Sequence, residues 1–362
     1  MRPWKQAAKI AVVVHGPEVV DSGSALKLIN YLKRFGTVRA VLGGTMGRVA
    51  VLDAGLDDVI AISPWRRPSR SIRDLEPSSD ILFLLTQAKS RETGLAFGSM
   101  VAAAAAVAKP LILIDCGGKL VASLAGKADE MTEMIAADIG LDNLEPLPYA
   151  RAVRNGDETK RTLTGVMPGE LISVNGTVVA KALESSVEIT ARDGKIASIK
   201  GAETKPHGLE KLPKIDLEKA IVRSGKIRRT LARARPRLGE RHGDGAAFID
   251  HGAEDAFEET QGASVVVTVG DDTTAIAGDI LARLGVPVIG LVDGDIDMLA
   301  EKTVIFPGSV VILVEPGYDD LVGKLIEDEI FQGKSRAPFR AEELIEKIIE
   351  AAGDRIVRVE RH

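Results

Sequence analysis

The sequence predicts an α/β protein in which two parallel-sheet, Rossmann-like α/β domains flank an antiparallel β insert. Short, continuously apolar runs alternate with helical patterns at both ends of the chain, as strands buried on both faces require. In the middle, Asn175-Gly176 and Asp193-Gly194 each separate two β-rich runs, the strongest local signal for a hairpin. A length of 362 residues accommodates two or three domains at about 150 residues each. The expected boundaries are 1–148 for the N-terminal α/β domain, 149–221 for the insert, 222–245 for a basic arm or linker, and 246–362 for the C-terminal α/β domain.

In the N-terminal part the expected strands are Ile10–Val14, Val38–Leu42, Val59–Ile62, Ile81–Leu85 and Leu111–Ile114. Leu26, Ile29 and Leu32 stand at helical spacing behind Asp21 and Ser22, either of which can cap that helix. An Ala-rich helix is expected from about Glu92 to Ala108. The insert contributes Leu171–Val174, Thr177–Val179, Val187–Thr190 and Ile196–Ile199. After the arm, strands are expected at Ala247–Ile249, Val265–Val269, Val286–Val292 and Val310–Val314, with an edge strand at Arg355–Val359. Helices are expected between them and over 318–331 and 341–352.

Composition narrows the function classes. Hydrophobic residues make up 45% of the chain, which is ordinary for a globular core and excludes a disordered protein. One cysteine excludes a disulfide framework and a Cys-based zinc or iron–sulfur centre. A net charge of −5 excludes a wholesale basic coat for nucleic acid. The longest apolar run, Met100–Ala108, is broken by Lys109-Pro110 and is too short to span a bilayer. The apolar run after the charged N-terminus reads as a first strand, not as an export signal. No membrane contact and a cytoplasmic location are therefore expected.

Parallel α/β sheets bind ligands at the carboxyl ends of their strands. In the N-terminal domain those ends carry His15, Gly16, Glu18, Gly43, Gly44, Thr45, Gly47, Arg48 and Gly117. Gly43-Gly44-Thr45-Met46-Gly47-Arg48, between a strand and a helix, is expected to bring backbone N–H groups to a phosphate, with Arg48 adding charge. Gly16 and Gly117 are expected beside the same ligand. The glycines are also what a tight strand-to-helix turn needs. His15 and Glu18 are weak candidates for acid–base work; the plainer reading has His15 cap the strand and Glu18 face solvent. Cys116 reads as a small buried hydrophobe.

The C-terminal domain carries the sharper pattern. Asp293, Asp295 and Asp297 alternate just beyond an apolar run, and Asp271 and Asp272 end the preceding one. Converging carboxylates repel unless protons or a cation neutralise them, and hard oxygen ligands suit Mg²⁺ or Mn²⁺. Helix capping is the plainer use of the same residues. The stretch Arg223, Lys226, Arg228, Arg229, Arg233, Arg235, Arg237 and Arg241 could contact RNA phosphates or serve as a solvated linker.

Asp293-Gly294-Asp295-Ile296-Asp297 resembles the metal loop of phosphohexomutases and, less closely, the Asp-x-Asp strand end of Toprim domains. Val269-Gly270-Asp271-Asp272 resembles the fourth motif of haloacid dehalogenase-type phosphatases. The other motifs of all three families are missing, so no function transfers. A resemblance over most of the chain is carried by Val13 to Gly23, Gly43 to Arg48, Gly270 to Thr274 and Asp293 to Asp295. These blocks look like an uncharacterised protein family of methanogens and related archaea, which has no assigned activity and implies an archaeal cytoplasmic protein.

The expected function is a Mg²⁺-dependent enzyme acting on a phosphorylated or nucleotide ligand. A non-catalytic RNA- or nucleotide-binding module, or an assembly partner in an archaeal complex, are the alternatives.

Overall fold

The computed structural model describes residues 8–44, 47–62, 66–147, 152–175, 177–225, 238–240, 243–250, 253, 256–294 and 305–362. The chain divides into two compact units, Met1–Ala234 and Arg235–His362. The fold is α/β as expected, with the insert placed in the same unit as the first sheet.

That first sheet contains β1 (Ala8–His15), β2 (Gly36–Gly43), β3 (Ile60–Ala61), β4 (Ile81–Thr86), β5 (Leu111–Asp115), β6 (Leu120–Ala125) and β7 (Asp142–Asn143). Their order is β3-β2-β1-β4-β5-β6-β7. The first five in that order run parallel. β6 turns back antiparallel to β5, and β7 follows β6. Helices α1 (Glu18–Asp21), α2 (Ser24–Leu32), α3 (Gly47–Asp53), α4 (Pro68–Leu75), α5 (Arg91–Ala105) and α6 (Asp129–Ile139) connect them.

The alternation of side chains along β1 decides which helix lies on which face. Ile10, Val12 and Val14 form one core with α2 residues Leu28, Ile29 and Leu32 and with Met131 and Ile135 of α6. Ala11 and Val13 form the other with Ile72 and Leu75 of α4 and Leu95 and Val101 of α5. Strands so covered have no polar face, which is why their sequences read as unbroken apolar runs. Strand order reverses between β1 and β4, so this is the crevice where ligands of doubly wound sheets bind.

The insert forms two four-stranded antiparallel sheets over one core. β8 (Val153–Asn155), β9 (Glu158–Thr164), β12 (Ser186–Arg192) and β13 (Lys195–Lys200) make one; β10 (Leu171–Val174), β11 (Thr177–Ala182), β14 (Ala202–Thr204) and β15 (Val222–Ser224) make the other. Ile172, Val174 and Val179 from one sheet meet Val187, Ile189 and Ala191 from the other. Both expected hairpins form, β10 with β11 and β12 with β13. Asn175 and Asp193 take positive φ at their turns, as such turns require; Gly176 lies outside the described residues. A short helix, α7 (Pro206–Lys211), packs on β11.

In the second unit the sheet order is β20-β16-β17-β18-β19-β21. Four parallel strands, β16 (Ala246–Asp250), β17 (Val265–Val269), β18 (Val288–Val292) and β19 (Val310–Val314), lie between two antiparallel edges, β20 (Arg336–Ala337) and β21 (Ile356–Arg361). Helices α8 (Ala256–Glu259), α9 (Asp271–Arg283), α10 (Asp319–Leu325) and α11 (Ala341–Ala352) complete the unit. Val267, Ile289 and Ile312 pack with Val322 of α10 and Leu344 and Ile348 of α11. α9 packs against β17 and β18. Among the described residues no helix is long and apolar enough to cross a membrane.

Candidate functional site

The acidic centre of the second unit is built by three successive strand ends. Asp271 opens α9 directly after β17, Asp293 follows β18, and Asp319 opens α10 after β19. Each is more than nine-tenths buried, and one carboxylate oxygen from each lies within 4.8 Å of the other two. Oxygens bound to one Mg²⁺ at about 2.1 Å stand roughly 3–4 Å apart, so a small contraction would let all three share an ion.

Backbone groups hold two of these carboxylates in place. One oxygen of Asp271 accepts the N–H groups of Asp293 (3.2 Å) and Gly294 (3.1 Å). One oxygen of Asp293 accepts the N–H of Gly317 at 2.8 Å. Burial pushes the Asp271 carboxyl up to about 6, and the neighbouring Asp293 carboxylate adds to the rise. The shift is the electrostatic signature of like charges gathered in a partly dry place. A proton or a cation would relieve it.

Only part of this centre follows the expected ligand set. Asp271 and Asp293 are in it. Asp272 is at the next position of α9 and outside the cluster. Asp295 and Asp297 lie outside the described residues. Asp319 was missed, because Asp319-Asp320 reads as an ordinary helix start. It stands five residues beyond Val314, behind Glu315-Pro316-Gly317-Tyr318, where Asp271 and Asp293 follow their runs within two.

At the carboxyl edge of the first sheet, His15 ends β1. Its Nδ1 donates to the Gly43 carbonyl at 2.7 Å, and its ring stacks on Phe97 of α5 with centroids 4.3 Å apart. Burial drives the imidazole down to about 4, against the Gly43 hydrogen bond and with help from the charge of Arg223. His15 is therefore neutral at pH 7. Because the folded value lies below the unfolded one, the unfolded chain binds the extra proton between about pH 4 and 6.5. Stability is then expected to fall as pH drops through that window, by up to about 3 kcal/mol at 1.36 kcal/mol per unit. Urea midpoints at pH 4.5 and 7.5 check this, and His15→Phe, which keeps the ring stack, should flatten the difference.

The glycine-rich turn has a packing role. Gly44 donates its N–H to the Arg66 carbonyl at 3.1 Å, so that group is not turned to a phosphate. A Cβ on Gly43 would come within 2.9 Å of Pro68 and Val13, and one on Gly47 within 2.7 Å of Leu42. Arg48 is 1% exposed, inside the fold and not on a binding surface. Thr45 lies outside the described residues. Among the described residues of this segment, Gly43, Gly44, Gly47 and Arg48 thus serve the close packing of α3 and α4.

Other residues organise the crevice. Gly16 takes φ +88°, and Glu18 follows it on α1, buried at the helix start where a solvated side chain is expected. Asp115, fully buried, accepts from Ala88 N–H (2.8 Å) and Gly117 N–H (3.1 Å), tying two strand-end loops together. A Cβ on Gly117 would sit 2.0 Å from the Ala88 carbonyl, which explains that glycine. Ser22 Oγ donates to Gln87 Oε1 at 2.7 Å across the switch point. Lys89, missed by sequence reasoning, pairs with Glu170 and donates to Ser224 Oγ (3.0 Å), fastening the insert to this edge. Cys116 is half-buried against the first core, and burial pushes its thiol up to about 11, away from the reactive thiolate. Of the basic stretch, Arg223 belongs to β15, and Lys226, Arg228, Arg229, Arg233, Arg235, Arg237 and Arg241 lie outside the described residues.

The fold and these strand ends define an α/β protein with two parallel-centred sheets and a buried carboxylate cluster on the second. Residues 12–334 match the family described as uncharacterized protein conserved in archaea (DUF2117), and the chain belongs to that family. It is 41% identical over 332 residues to the uncharacterized protein MJ0065 of Methanocaldococcus jannaschii, covering 89% of this chain and 91% of the relative. No solved structure matches it.

Proposed function

We propose that the protein is an enzyme that uses Mg²⁺ or Mn²⁺, held by Asp271, Asp293 and Asp319, to act on a phosphorylated or nucleotide ligand. The observation that carries this is the convergence of three buried carboxylates at the carboxyl ends of neighbouring parallel strands, with Asp271 pushed up to about 6. Such strand ends are where α/β sheets bind their ligands, and all-oxygen donor sets suit hard cations. A cation there would polarise a phosphoryl oxygen or lower the pKa of a bound water. Asp271 and Asp293 would keep their orientation through the backbone N–H groups that already bind them. The single cysteine fits a reducing cytoplasm.

A phosphate-release screen over phosphomonoesters, nucleoside triphosphates and nucleotide diesters, with and without Mn²⁺, tests the proposal. Metal-dependent turnover that disappears in Asp293→Asn supports it. Turnover that is unchanged by EDTA and by that substitution contradicts it.

A further inference from the structure

Among the described residues the sheet of the second unit ends at β21 with no strand beyond it. Among the described residues β21 has a single neighbouring strand, β19, with Ile312 opposite Val359 and Leu313 opposite Arg358. His362 donates its N–H to the Ser309 carbonyl, and its own carbonyl accepts from Gly308. Hydrogen-bonded positions alternate along an antiparallel strand. Glu360 and Arg358 therefore also turn their backbone groups to β19, while Val359 and Arg361 turn theirs away from the sheet. Val357 and Val359 are 59% and 37% exposed. An edge with outward backbone donors and exposed apolar side chains is a template for another strand.

We propose that the strand it takes is β21 of a second copy of this chain, antiparallel about a two-fold axis at Val359. The two six-stranded sheets then become one. With the axis at Val359, the two Val359 residues exchange both backbone hydrogen bonds, as their outward groups require. Arg358 of each copy stands opposite Glu360 of the other, giving two complementary pairs. Moving the axis to Arg358 would oppose two guanidinium groups, and moving it to Glu360 would oppose two carboxylates. Like charges directly opposite are destabilising, so the Arg-Val-Glu pattern selects one register. Arg358 and Glu360 pair within their own strand at 2.7 Å but are 64% and 43% exposed. An exposed pair of this kind is worth little, so exchanging it across the axis costs little.

The neighbouring helix extends the surface. Arg361 pairs with Glu342 at 3.2 Å, which fixes the start of α11 beside the end of β21. Gly353–Arg355 then lead from the end of α11 into the start of β21, so helix and strand run antiparallel. Ile349 lies seven residues beyond Glu342, about 10 Å along the helix, or roughly three residues along a strand. That places it level with Arg358 and Val359, and it is 37% exposed. Ile349, Val357 and Val359 thus give the edge an apolar border for the second copy to bury.

Sedimentation equilibrium on the full chain tests the pairing. The expected mass is twice 38.5 kDa. Val359→Pro removes an outward N–H without breaking a bond to β19 and should give a monomer with an unchanged circular dichroism spectrum. Arg358→Glu should raise the dimer dissociation constant about tenfold or more, as two cross-strand pairs turn repulsive. Arg358→Glu/Glu360→Arg should restore the dimer, because each new pair is again complementary. If Val359→Pro does not fold, the charge reversal and its rescue decide. A wild-type monomer at all concentrations, or a dimer indifferent to both Val359→Pro and Arg358→Glu, overturns the proposal.

Discussion

Mn²⁺ is expected to stabilise the wild-type protein, and Asp319→Asn is expected to abolish that stabilisation. A ligand at one hundred times its dissociation constant adds about 2.7 kcal/mol. For a unit the size of Arg235–His362 that corresponds to a rise in Tm on the order of 10 °C. Asp319 supplies one of three oxygens that converge within 4.8 Å, and asparagine removes its charge at nearly constant volume. Differential scanning calorimetry with and without Mn²⁺ reads the effect. Asp272→Asn, one position along α9 from Asp271 and outside the cluster, is the matched control and should keep the response. Protons would compete with the proposed cation for Asp271, whose carboxyl burial pushes up to about 6. The Mn²⁺ response should therefore shrink as pH falls from 7.5 to 5.5 and recover on return. Equal responses in the wild type and Asp319→Asn would remove Asp319 from the ligand set.

Lys89→Met is expected to destabilise the first unit by about 3 kcal/mol. The Lys89 side chain is 9% exposed and that of Glu170 16%, and Ser224 accepts a further hydrogen bond from the ammonium. Removing one partner of a buried pair leaves the other charged and poorly solvated, at a cost of about 3–5 kcal/mol. Residual exposure puts the expected loss at the lower end, about 3 kcal/mol. Glu170 keeps one compensating contact, the Met167 N–H at 2.9 Å. Glu170→Leu in the Lys89→Met background should recover part of the loss, since no buried charge then remains. Urea unfolding at pH 7 reads both. A cost below about 0.5 kcal/mol for Lys89→Met would show that the pair is solvated and does not hold the insert.

The parallel strands were legible because burial on both faces leaves no polar alternation to confuse with anything else. The hairpins were legible because Asn175 and Asp193 must adopt positive φ. β6 was not: Leu120–Ala125 follows a glycine-rich turn, and nothing local tells an antiparallel return from a further parallel strand. The glycine run at Gly43–Arg48 reads equally as a phosphate loop or a packing turn, because both uses need a small residue at a strand end. What separates them is the neighbours, Arg66, Pro68 and Val13, and these are brought in by the fold. Asp271 and Asp293 stood out through acidic neighbours in sequence. Asp319-Asp320 has the same acidic neighbour as Asp271-Asp272 but stands five residues beyond its apolar run, and the Lys89–Glu170 pair carries no local spacing, since its partner arrives from the insert.

An anomalous difference map from crystals grown with millimolar Mn²⁺ tests the carboxylate centre most directly. The predicted result is one peak within about 2.0–2.6 Å of oxygens from Asp271, Asp293 and Asp319. Clear density for those three side chains with no peak between them would contradict the metal site and the catalytic role built on it.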